Sequence, residues 1–201
     1  MPETAIGFRV RCLSFRRFFL HSNTVNLIFM KRTEWFNRIF APIEDNGLLP
    51  SIIERLTGTP ARLKETLSSI KPSVLLFRIG DTWTINEEVG HLSDLEPLWY
   101  GRLEDLLRGE KLLRVTDLTN QLTSTSNHNA TEIDILIHRF RERRKGFVNR
   151  LRELSDPQLL ASALHPRLLK PMRIIDLAYF VAEHDDHHLA RIREIADRED
   201  F

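Results

Sequence analysis

Four stretches of this 201-residue chain repeat their apolar residues every three or four positions, and that period commits the chain to amphipathic helices. In the first, Leu49, Ile53, Leu56, Leu63, Leu67 and Ile70 form one stripe, with Pro60 on the same face. A proline there lacks a backbone donor and clashes one turn back, so it predicts a kink or a division. The second stripe starts at Ile85, because Thr84 and Glu87 have the spacing of a capping box. It continues through Val89, Leu92, Leu95, Trp99, Leu103 and Leu106, with a bend expected at Pro97. The third follows a second capping pattern, Asn129 with Glu132, and turns Leu136, Phe140, Phe147 and Leu151 inward. The fourth spans about Met172 to Ala196, and its stripe is Ile174, Leu177, Val181, His184, His188, Ile192 and Ile195.

Residues 110–128 carry no such period and are rich in Thr, Ser and Asn, which implies a crossover and not a tight turn. The expected fold class is all-α: a four-helix bundle with a long crossover between the second and third helices. A short strand is conceivable only around Ser73 to Arg78, and residues 155–171 read as an irregular link. Eight glycines and nine prolines are too few for a turn-rich all-β chain. No apolar run approaches the ~18 residues of a membrane span, so no membrane partner is expected. The single cysteine, Cys12, excludes an intramolecular disulfide framework and a cysteine-rich zinc module.

A net charge of +1 gives no electrostatic case for a nucleic-acid partner. The basic run Arg139, Arg141, Arg143, Arg144 and Lys145 surrounds a helix whose other side holds Phe140 and Phe147, so it reads as a solvated face. Charge is nevertheless uneven: up to residue 33 six basic residues accompany one acid, Glu3. Residues 1–29 are therefore expected to be a basic N-terminal extension outside the fold, with an import presequence as the alternative. Residues 30–201, with Met30 as a candidate start, are expected to form one helical bundle domain in the cytoplasm.

The anomaly lies in the last stripe, where His184 and His188 occupy core-facing positions one turn apart. Two buried imidazoles with unsatisfied nitrogens would each cost about 1–3 kcal/mol, and a divalent metal resolves that cost. His91, at the edge of the second stripe, is the third candidate ligand. Three histidines leave a coordination position open, as at a catalytic zinc. His187 lies about 100° round the helix from its neighbour and is expected to rim the site or face solvent. His21, His128, His138 and His165 have no matching partner and read as structural or exposed.

Two segments also carry a family resemblance. The stretch T-W-T-I-N-E-E-V-G-H-L-S-D-L-E from Thr82 and the stretch I-I-D-L-A-Y-F-V-A-E-H-D-D-H-H-L-A-R-I from Ile174 resemble paired histidine motifs of the DinB/YfiT-like superfamily. The segment G-L-L-P-S-I-I-E-R-L-T-G-T-P-A-R-L is similar to that family's first helix. The resemblance implies an up-down-down-up bundle and a metal, zinc or nickel, held by His91, His184 and His188. It also implies a transferase or isomerase that uses a low-molecular-weight thiol such as bacillithiol, mycothiol or glutathione, acting on a small-molecule substrate. A metal-dependent hydrolase is the alternative within the family. A non-catalytic metal-binding module, with a homodimer among its allowed assemblies, is the alternative outside it. Candidate proton acceptors are Glu88, Glu183, Asp185 and Asp186, and Asp94 is a candidate for orienting an imidazole.

Overall fold

A computed structural model describes residues 32–198; the basic extension 1–29, Met30, Cys12 and His21 lie outside the described residues. The first long helix, α1 (Leu49–Ser68), is followed by one short turn of helix, α2 (Pro72–Leu75), where a strand was conceivable. Next come α3 (Ile85–Asp94), α4 (Glu96–Leu107), the short α5 (Gln121–Thr125) and α6 (Ile133–Arg152). A hairpin of β1 (Ser162–Leu164) and β2 (Pro171–Arg173) leads into α7 (Ile174–Ala196). α1 and the α3–α4 pair each pack against α6 and α7, which makes a four-helix bundle.

Local sequence sets most of these boundaries. The capping box at α3 forms as its spacing requires: Thr84 Oγ1 accepts from the Glu87 backbone at 3.2 Å, and Glu87 accepts from the Thr84 backbone at 2.8 Å. The second capping pattern does not form, because Glu132 is the residue that precedes α6. Asn129 instead sits in a 3₁₀ turn and accepts from the Thr84 hydroxyl at 2.6 Å. The irregular link contains the small antiparallel hairpin, in which Ala163 pairs with Met172 and both are buried.

The two internal prolines act differently. Pro97 divides the second helix, and Leu95 ends α3 while beginning α4. Pro60 does not divide α1, which runs through it. Each proline deprives a carbonyl one turn back of its helical donor. Both carbonyls are filled from α6: Arg143 Nη1 donates to Ser93 O at 2.8 Å, and Arg144 Nη1 reaches Leu56 O at 3.4 Å.

That contact corrects the sequence reading of Arg144. Arg139, Arg143 and Lys145 are exposed, but Arg144 is only 2% exposed and lies at the centre of the bundle. Its guanidinium donates to Glu96 Oε1 at 2.6 Å and to both oxygens of Asp185, with Thr59 Oγ1 donating to Asp185 at 2.8 Å. The two carboxylates hold Arg144 charged, whereas burial pushes the Glu96 carboxyl up against the opposing pull of that arginine.

The core is consequently two apolar clusters with a polar layer between them. Leu56, Trp99, Phe147 and Val181 belong to one cluster, and Leu63, Leu92, Phe140 and Ile192 to the other. Along the helices the intervening residues are Thr59, Glu96, Arg144 and the segment His184–His188. Removing one partner of a buried charge network leaves uncompensated charge, at a cost of about 3–5 kcal/mol, while replacing all partners by apolar groups is often neutral. Arg144→Met should therefore lose roughly that amount in urea denaturation, and the triple variant Arg144→Met, Glu96→Met, Asp185→Leu should recover most of it.

Candidate metal centre

His91, on α3, and His184 and His188, on α7, are each buried and meet in the polar layer. One ring nitrogen from each lies within 4.8 Å of the other two. The ring centroids of His184 and His188 are 4.4 Å apart, and those of His91 lie 5.3 and 4.8 Å from them. His184 Nε2 and His188 Nε2 face each other at 3.1 Å. The helical phase read from the sequence thus brings together the three residues it singled out.

Two of the rings are oriented from behind. His188 Nδ1 is 2.5 Å from Glu88 Oε2, and His91 Nδ1 is 3.0 Å from Thr123 Oγ1. Thr123 in turn donates to Asp94 Oδ2 at 3.2 Å, and His128 Nε2 pairs with the same oxygen at 2.8 Å. Asp94 therefore supports His91 through a hydroxyl supplied by α5, inside the crossover. His128 is buried against α3, so closely that a Cβ on Gly90 would lie 2.3 Å from its ring. Such second partners fix the ring orientation and tautomer of a ligating histidine.

The set fits a divalent cation. With Nδ1 of His91 and His188 engaged, the Nε2 atoms are left to face inward, and His184 Nδ1 is buried without any partner among the described residues. Burial, and then the neighbouring imidazoles, hold His91 and His184 well below the ordinary histidine pKa, so both are neutral, as ligands must be. Burial brings His188 down to about 4. It also pushes the Glu88 carboxyl up to about 8, against Arg191 and Arg32.

The other carboxylates singled out from the sequence are committed elsewhere. Asp185 belongs to the Arg144 network, Glu183 pairs with Arg38 and Arg55, and Asp186 pairs with Arg55 and Arg62. Glu88 sits behind His188, where it orients the ring. None of the four faces the histidines as a free proton acceptor.

A cavity of about 240 Å³ opens on the three histidines. Its walls include all three tryptophans of the chain, whose ring centroids lie 5.0 Å (Trp35) and 5.4 Å (Trp99) from His184 and 4.6 Å (Trp83) from His91. His187 also lines it, as a rim residue, with burial bringing its pKa down to about 3. Sequence reasoning missed the tryptophans as walls; the signal was there, since Trp83 and Trp99 each lie eight residues from His91.

Two outcomes follow for the metal-free protein and its variants. His184→Ala and His188→Ala should abolish binding of an added divalent metal in a folded bundle, while His187→Ala should not, as read by elemental analysis and circular dichroism. Folding also depresses the imidazole pKa values, so the unfolded chain binds more protons. That contribution to stability is complete above 6.5 and is lost as pH falls towards about 4 for His188 and about 3 for His187. The melting temperature of chelator-treated protein should drop across that window, and a flat profile would contradict it.

Residues 55–192 match the DinB superfamily. No curated protein matches the chain. Among solved structures, YfiT from Bacillus subtilis, described as a probable metal-dependent hydrolase with an unusual four-helix bundle topology, aligns with a TM-score of 0.70. The two are 23% identical, over 81% of this chain and 94% of that one, a likeness that carries the fold alone. The family match runs from α1 to α7 and takes in all three histidines, and on that basis the chain belongs to the DinB superfamily.

Proposed function

We propose that the protein is a metal-dependent enzyme in which His91, His184 and His188 hold zinc or nickel and the cavity admits a low-molecular-weight thiol for transfer or isomerisation of a small-molecule substrate. The observation that carries this is the convergence of three buried, neutral imidazoles on one end of an indole-walled cavity. A divalent ion there lowers the pKa of a bound thiol or water, giving a nucleophile near neutral pH. Thr123 and Glu88 keep the His91 and His188 rings turned towards that point. Trp35, Trp83 and Trp99 line the approach to it with apolar faces.

The commitments of the carboxylates favour a thiol over water. A hydrolase working on neutral water gains from a carboxylate that takes up a proton, and Glu183, Asp185 and Asp186 are all held in ion pairs. A thiol starts about seven pKa units below water, so the ion alone suffices to deprotonate it, whereas metal-bound water is brought only to about neutrality. The hydrolase alternative rests on the fold shared with YfiT, and it predicts ester or amide cleavage without thiol.

The up-down-down-up course belongs to the same reading. It is supported by cross-helix pairs: Arg55 and Arg62 of α1 meet Glu183 and Asp186 of α7 in ascending order, as Arg143 and Arg150 of α6 meet Ser93 and Glu104. His91 and Trp99 meet His184 and Phe180 in descending order. No helix among the described residues is long and apolar enough to cross a membrane. We place the working unit at residues 30–201, in the cytoplasm, with no nucleic-acid partner.

The test is thiol consumption by the zinc- and nickel-loaded protein with bacillithiol, mycothiol or glutathione and an electrophilic test substrate. Activity should vanish on chelation, return on reloading, and fall at least about 100-fold in His91→Ala, the scale at which an essential catalytic group is lost. Ester hydrolysis at the same rate with and without thiol would overturn the thiol reading in favour of the hydrolase.

A further inference from the structure

The end of the cavity remote from Glu88 carries a different chemistry. Arg102, on α4, is only 1% exposed, and no carboxylate pairs with it among the described residues. Its Nε donates to Arg114 O at 3.1 Å, and its Nη1 lies 3.1 Å from His165 Nε2. The carboxylates around it are engaged: Asp105 with Arg114 and Arg108, Asp117 with the backbone of Thr119 and Gln121, and Glu34 beside Arg32 at the mouth. Arg167 lines the same cavity, with Nη2 buried and without a partner. A buried cation without a counter-charge costs several kcal/mol, and a second cation beside it adds to that cost.

The histidine beside Arg102 sharpens the point. His165 Nδ1 accepts from the backbone N–H groups of Arg167 at 3.2 Å and Leu168 at 3.1 Å. An imidazole that accepts at Nδ1 carries its proton at Nε2. His165 Nε2–H and Arg102 Nη1–H are then two donors turned on one another, with no acceptor between them. With the unpartnered Nη2 of Arg167, three donors on three side chains lack an oxygen.

We propose that this end of the cavity is the recognition site for a carboxylate group of the substrate or thiol, held by Arg102, Arg167 and His165. One carboxylate supplies two oxygens and a negative charge, which answers both the facing donors and the uncompensated arginines. The ligand's remaining atoms run along Trp99, whose ring is 5.5 Å from the Arg102 guanidinium and 5.4 Å from the His184 ring. The inference rests on the proposed metal-centred function only for which end of the ligand faces the histidines. The anion site itself is defined without the metal.

The experiment compares 3-mercaptopropionate with its amide, which has the same thiol and nearly the same size but no charge. Calorimetric titration of the zinc-loaded and the chelated full-length protein should favour the acid by about tenfold in both, the scale of one charge-assisted hydrogen-bonded pair. Arg167→Gln and Arg102→Lys should each reduce that preference to within about twofold, with zinc content unchanged. Arg167 is half-buried, so its variant keeps the test valid if Arg102→Lys fails to fold. Equal binding of acid and amide, no binding of either, or a preference that survives in folded Arg167→Gln would overturn the anion site. Affinity that does not change when zinc is removed would count against the metal-centred function and leave the anion site standing.

Discussion

Arg144 and its two carboxylates fix where every other group in the site can be. The guanidinium of α6 holds Glu96 of α4 and Asp185 of α7, and Asp185 also takes the hydroxyl of Thr59 from α1. One cation thereby ties all the long helices at a single level. His184 precedes Asp185 directly, and Glu96 lies five residues beyond His91. The register that lets imidazoles from α3 and α7 converge is the register this ion network imposes. Such a network is weak evidence for stability, since apolar replacements often do as well, but it is directional where apolar packing is not. Specifying the level at which four helices meet is the role we assign to it.

Arg144 and its neighbour Arg143 also explain how the bundle tolerates its prolines. Pro60 and Pro97 each free a carbonyl on the inner side of a helix, and an unsatisfied buried carbonyl is costly. Arg144 and Arg143 supply the missing donors at Leu56 and Ser93. The break at Leu95 then has a use. It separates α3, which presents His91, from α4, which presents Trp99 and Arg102, so one strip of sequence lines both ends of the cavity.

The apolar period, with the cap at α3, made the four long helices legible, because burial of a stripe is a local property of the sequence. His184 and His188 were legible for the same reason, as polar residues in an apolar phase. Arg144 was not: it occupies an inward position, but four charged neighbours within five residues give it the look of a surface run. Its burial depends on Glu96 and Asp185, which are distant in sequence and individually unremarkable. Thr123, His128 and His165 were hidden for a related reason. They sit in connections, where no period points inward, and the partners that bury them come from helices. The hairpin 162–173 escaped because strands of three residues are too short to show alternation.

The electrostatic plan of the cavity follows from what its ligands lack. Three neutral imidazoles would leave the two positive charges of a divalent ion undiminished, where a carboxylate ligand would cancel one. Glu88 touches the site only through the His188 ring. At the other end Arg102 and Arg167 add positive charge with no acid paired to either. Between the ends lie indole and phenyl faces, which offer no countercharge of their own. With an ion held by the histidines, such a space would be positive at both ends, with Glu34 and Asp117 as the acids in its lining, and buried positive charge strengthens a negative charge placed beside it relative to water. On the function proposed above, such a space would select molecules with two anionic groups, one of them formed on binding, over neutral molecules of the same size. A thiol that also bears a carboxylate would meet that description, and this is the ligand class that the proposed function and the proposed anion site share.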